Sequence, residues 1–182
     1  MGTYLAQFPF GTLAGLAVVV TGAFAALYFM RHRTSPSLSW LLLRAATIYY
    51  LLLFLALFWY PATLRGTQDD ASLLPLVIQL IPLSTLLHAD PVSTWGTFAL
   101  LVPLPVLVYL HCRSMKRTCA AALVIALLIE PVQLLINTLT GFPNFVVDVD
   151  DVLLQLLGCV AGMLVIAAAK RLASVPRVAE AA

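Results

Sequence analysis

Three carboxylates, Asp148, Asp150 and Asp151, fall within four positions of FVVDVDDVLLQLLG, in a chain with only eight acidic residues among its 182. Residue types in that spacing can do several kinds of chemistry. Clustered carboxylates are oxygen ligands for a hard divalent cation. Two of them can share general acid and base work. They can also cap a helix N-terminus from a solvated loop, where negative charge is favourable. A second constellation precedes them. Glu130, Gln133 and Asn137 stand at i, i+3 and i+7, one face of a helix. A third follows: Asp151, Gln155, Gly158 and Gly162 stand at i, i+4, i+7 and i+11. That face is polar at one end and small at the other, and small residues let a neighbouring backbone come close.

The elements that position these residues are set by composition. The chain is 62% hydrophobic and 10% charged, whereas a soluble domain carries about 25% charged residues. Its bulk solvent must be lipid, and the fold class is an all-α bundle of membrane-spanning helices. Five spans are predicted, over residues 10–30, 38–60, 94–111, 118–139 and 152–169. The third carries Pro103 and Pro105 and should be kinked or locally unwound. Pro131 in the fourth frees the carbonyl of Leu127. Between spans two and three, ASLLPLVIQLIPLSTLLH is apolar but broken by Pro75 and Pro82. Residues 71–89 therefore read as an interfacial or re-entrant segment. No repeat, linker or soluble domain is visible, so residues 1–174 read as one membrane domain and 175–182 as a short tail.

Eight of the ten Lys and Arg residues follow spans one, three and five. The positive-inside rule then places the N-terminus outside and the C-terminus in the cytoplasm. The first apolar run is followed, not preceded, by Arg31 and Arg33, which argues for a retained helix over a signal peptide. Cys112, Cys119 and Cys159 have no metal-ligand spacing and read as small apolar residues.

Glu130 lies about 18 Å into the bilayer from Thr118 at helical rise. A carboxylate there should face the bundle interior or water, and should lie near the aspartates if the two polar faces meet. Together they would form an acidic recess opening outward. Arg44, about 9 Å into span two, either snorkels to the inner surface or turns inward as a counter-charge. His88 beside Asp90 could join the aspartates around a cation, while His32 and His111 sit at the ends of spans.

Over residues 118–165 the chain resembles the VanZ-like family. The matching runs are LLIEPVQLL, with Glu130 and Gln133, and TGFPNFVVDVDDVLLQLLGCVAG, with Asp148, Asp150, Asp151, Gly158 and Gly162. Looser echoes are LIPL at 80–83 and LLVPL at 100–104. The chain departs from the pattern at four places. The loop GFPNF lacks an arginine, Gln155 and Thr97 stand where asparagine is usual, and Pro105 stands where glycine is usual. The resemblance implies a location in the bacterial cytoplasmic membrane and an association with resistance to teicoplanin, a lipid-bearing glycopeptide.

Two functions follow as expectations. The first is a non-enzymatic envelope protein. Its recess, lined by Glu130, Gln133, Asn137, Asp148, Asp150, Asp151, Gln155 and Arg44, would bind an amphiphile such as a lipoglycopeptide or a cell-wall lipid. The second is an enzyme on a lipid-linked substrate with Glu130 and Asp151 as acid and base. Against it, no nucleophile paired with a base, zinc motif or phosphate loop is present. No cofactor is called for, although Asp148, Asp150 and Asp151 leave a divalent cation open. The partners expected are membrane lipids and the amphiphile, and nothing points to nucleic acid.

Overall fold

A computed structural model of the chain describes residues 10–32, 34–59, 78–84 and 91–174. The chain divides into two compact units, Met1–Pro61 and Ala62–Ala182. Five helices are long and apolar enough to cross a membrane: Gly11–His32, Leu38–Phe58, Trp95–Cys112, Met115–Thr140 and Val149–Ser174. All five expected spans are present: the helices over the first, third, fourth and fifth run a few residues past the expected bounds, while the second is described over Leu38–Trp59 of the expected 38–60.

The first unit contains helices α1 (Phe10–His32) and α2 (Leu38–Trp59). Neither has a charged first turn, and their apolar side chains lie largely on the outside, as with Val18, Val19 and Leu42. Along α2 the rings of Tyr50, Phe54 and Phe58 follow one another at i+4 spacing, with centroids 6.0 and 4.7 Å apart.

The second unit contains a strand β1 (Ile78–Gln79), helices α3 (Pro91–Leu101), α4 (Pro103–Cys112) and α5 (Met115–Thr140), strand β2 (Val147–Asp148) and helix α6 (Val149–Ser174). The expected interruption of the third span is the junction at Val102. Proline at the start of α4 has no N–H to continue the helical ladder of α3. Helix α4 ends on Arg113, which takes the left-handed conformation (φ 51°) and donates its N–H to the Tyr109 carbonyl at 2.8 Å. That tight turn reverses the chain into α5. Pro131 sits within α5 without ending it.

Helix α5 is organised inside out relative to a helix in water. Its buried positions include Thr118, Glu130, Gln133 and Asn137, while Leu123, Val124, Leu127, Leu128, Leu135 and Leu139 are exposed. Polar groups turned inward and leucines turned outward are stable only where the surroundings are apolar. Small residues on the same inner seam, Ala122 and Ala126, bring α6 close, and the Cys159 thiol donates to the Ala122 carbonyl at 3.7 Å.

The broken apolar segment is described over residues 78–84. Ile78 pairs with Val147 and Gln79 with Asp148 in a parallel two-stranded bridge. A turn follows, closed by Gln79 Nε2 donating to Ser84 Oγ at 2.9 Å. Residues 71–77 and 85–89 of the expected interfacial segment lie outside the described residues.

Candidate functional site

The site is assembled where the C-terminal half of α5 meets the start of α6. Three local devices bring it there. Helix α5 stops at Gly141, whose φ of 64° suits a residue without a Cβ. The loop that follows is gripped by Asn137, which is completely buried. Its Nδ2 donates to the Phe145 carbonyl at 2.8 Å, and its Oδ1 accepts from the Phe145 N–H at 3.1 Å. Asp148 then caps α6, with its Oδ1 accepting from the Asp150 N–H at 2.8 Å.

Glu130 is at the centre and 4% exposed. Its Oε2 accepts from the Asp148 N–H at 3.2 Å, and its Oε1 accepts from Gln155 Nε2 at 2.8 Å. The side chain faces inward and meets the start of the aspartate run, the placement that depth in the bilayer demanded. Asp148 and Asp151 both lie close enough to act on it through their charge. No Lys or Arg among the described residues pairs with it. Gln133 is buried on the same face of α5, 7% exposed.

The three aspartates do not act as one group. Asp148 caps the helix. Asp150 is completely buried, and its Oδ1 accepts from the Leu83 N–H at 2.6 Å. Leu83 itself is left-handed (φ 68°). Asp151 is half-buried and accepts from the Thr97 hydroxyl of α3. Successive residues of a helix start point about 100° apart, so three neighbouring carboxylates reach three different neighbours. Among the described residues, no three His, Cys, Asp or Glu side chains are grouped as a metal ion would require.

The face carrying Asp151, Gln155, Gly158 and Gly162 is divided between two neighbours, not turned wholly toward span four. Gln155 reaches Glu130 of α5. A Cβ on Gly158 would stand 2.5 Å from the Phe98 carbonyl oxygen, and one on Gly162 would collide with the Val102 carbonyl and the Pro105 ring. The glycines therefore admit the backbone of span three. These four positions spread over about 60° of α6, enough for the stripe to sit in the groove between α5 and the α3–α4 pair.

Arg44 belongs to the first unit, where it is exposed and lies 5.3 Å from the Trp40 ring centroid. His88 and Asp90 lie outside the described residues. Thr97 and Leu83 were not singled out as site residues. Thr97 was visible only as a departure from the family pattern, and Leu83 contributes a main-chain N–H, which no side-chain pattern announces.

What this arrangement can do chemically is accept hydrogen bonds in a low-dielectric setting. Among the described residues, carboxylate and amide oxygens outnumber the donors turned toward them around Glu130, Asp151 and Gln155. No curated protein and no solved structure matches the chain. A sequence model of the VanZ/LLP1 family matches residues 47–170, which takes in the whole described site and more than half of the chain. With five apolar helices and the Glu130-to-Asp151 centre inside the matched region, the chain is a multi-pass membrane protein that belongs to the VanZ/LLP1 family.

Proposed function

We propose that this is an envelope protein of the bacterial cytoplasmic membrane that binds an amphiphile, a lipoglycopeptide such as teicoplanin or a cell-wall lipid, and contributes in that way to glycopeptide resistance. One observation carries the reading. Glu130 is a buried carboxyl in a membrane-spanning helix, and among the described residues its partners are two amide donors with no Lys or Arg against it. Ionisable groups inside a bilayer are costly and are retained where they serve a ligand or a path. A neutral glutamine would serve a purely architectural role at lower cost.

The distribution of basic residues supports the reading. Lys116 and Arg117 begin α5 and Lys170 and Arg171 lie near the end of α6, at the ends of the spans remote from the aspartates. With the basic ends in the cytoplasm, the polar centre lies in the outer half of the bilayer. There it meets molecules that arrive from the wall side with an acyl chain and a polar body. The apolar outer surfaces of α5 and α6 would take the chain.

The purified protein in detergent is titrated with teicoplanin and with a glycopeptide lacking the acyl chain, followed by mass spectrometry of the ligand. Saturable binding of the acylated compound at unchanged mass, lost in Glu130→Gln and Asp151→Asn, supports the binder. A new product mass would establish the enzyme instead. No saturable binding, together with unchanged teicoplanin susceptibility of a Gram-positive host expressing the protein, overturns the reading.

A further inference from the structure

The bonds around Glu130 leave one group over. Gln155 is completely buried, its Nε2 is spent on Glu130, and its Oε1 has no hydrogen-bond partner. A buried carbonyl oxygen without a donor is a standing penalty that native structures avoid. Both oxygens of Glu130 already accept. Asp151, one turn toward the start of α6 on the same face, adds a further acceptor and is half-buried, on the more open side of the centre. Among the described residues the centre is thus short of donors and holds two acidic groups with no Lys or Arg against them. The described Lys and Arg of this unit stand elsewhere: Lys116 is about 21 Å of helix from Glu130, and Lys170 about 22 Å from Gln155.

We propose that the head group taken at this centre is a primary ammonium, with Gln155 Oε1, the Glu130 carboxylate and Asp151 as its acceptors. This rests on the binding role given to the same site above and adds the chemistry of the head. An ammonium brings three N–H donors and a positive charge on one heavy atom. It answers the vacant acceptor and the two acidic groups together. A quaternary ammonium has the charge but no N–H. A hydroxyl has a donor but no charge. The depth of Gln155 and Glu130 favours a head of a single heavy atom over a sugar or a phosphate.

The test uses full-length protein in dodecyl maltoside with four probes: dodecylamine, dodecyltrimethylammonium, dodecanol and butylamine. Half-saturation is read by thermal stabilisation and by native mass spectrometry. Dodecylamine should bind at least about 10-fold more tightly than the other two dodecyl probes, the margin of a charge-assisted hydrogen bond. Gln155→Met, close in shape and lacking the oxygen, should erase that margin. If Gln155→Met does not fold, Asp151→Asn at its half-buried position should reduce the margin instead. Equal affinity for dodecylamine and its trimethyl analogue overturns the assignment. In that case saturable, Glu130-dependent teicoplanin binding leaves the binding role standing, and its absence removes both. Butylamine binding as well as dodecylamine would overturn the amphiphile part and assign the site to free amines. Acetylating the amine of dodecylamine should weaken its binding about 10-fold or more, and unchanged binding would also overturn the proposal.

Discussion

Replacing Gly158 or Gly162 with alanine should destabilise the protein, although alanine is the better helix former. Both glycines lie inside α6. In a helix interior the change to alanine gains about 0.5–1 kcal/mol from reduced backbone entropy. Against that stands a steric cost. At Gly158 the new Cβ would lie 2.5 Å from the Phe98 carbonyl oxygen and 2.9 Å from Leu101 Cβ. At Gly162 it would meet the Val102 carbonyl oxygen and the Pro105 ring. A main-chain oxygen, a Cβ and a proline ring cannot move aside by rotamer change, so the helices must separate. Such overpacking costs about 1–3 kcal/mol. With contacts under 3.0 Å to atoms that cannot rotate away, the upper part of that range, about 2–3 kcal/mol, applies; the net loss is about 1–2.5 kcal/mol, and at about 2–4 °C per kcal/mol for a chain of this size Tm falls by about 2–10 °C. Gly96 in α3 is the control, because a Cβ there meets nothing within 4 Å. Gly96→Ala should therefore raise Tm slightly. Pro105→Ala combined with Gly162→Ala should recover only part of the loss, since the Val102 carbonyl remains in the way. Thermal unfolding of the purified variants in detergent checks all four. If Gly158→Ala and Gly162→Ala melt at or above the parent temperature, span three does not approach α6 as closely as described.

Three further outcomes are expected. Asn137→Leu removes both bonds to Phe145 and leaves its main-chain N–H and carbonyl without these partners, a loss of about 1–3 kcal/mol; hydrogen exchange at the Phe145 amide should accelerate, whereas Asn137→Asp, which keeps the acceptor for that N–H, should protect it better than leucine does. Leu83→Gly should be tolerated because φ is 68° there, while Leu83→Val should lower Tm, since a β-branched residue fits that conformation poorly. Single cysteines introduced at Asn144 and at Ser174 in a cysteine-free background should differ toward an impermeant thiol reagent: Asn144→Cys should be labelled in intact cells and Ser174→Cys only after permeabilisation, and labelling of Ser174→Cys in intact cells would invert the topology.

Much of this protein is legible one segment at a time. Hydropathy over about twenty residues decides whether a stretch can span a bilayer, and that property does not depend on the neighbours. So the five spans, the break at Pro103 and the inward turn of Glu130 follow from local composition and from the cost of exposing a charge to lipid. The capping role of Asp148 is local as well, because it engages an N–H two residues away.

What remained undecided was which surfaces meet. Gly158 and Gly162 announce that some backbone comes close, but not whose; a glycine has no side chain to select a partner, and Phe98, Val102 and Pro105 lie about sixty residues earlier in the chain. The same holds for the Ile78–Val147 pairing and for Asp150 reaching the Leu83 N–H, since main-chain donors look alike in every sequence. The unanswered oxygen of Gln155 is the extreme case. Residue identity supplies an amide with one donor end and one acceptor end, and only the packing of α5 against α6 decides that the donor is used and the acceptor is not.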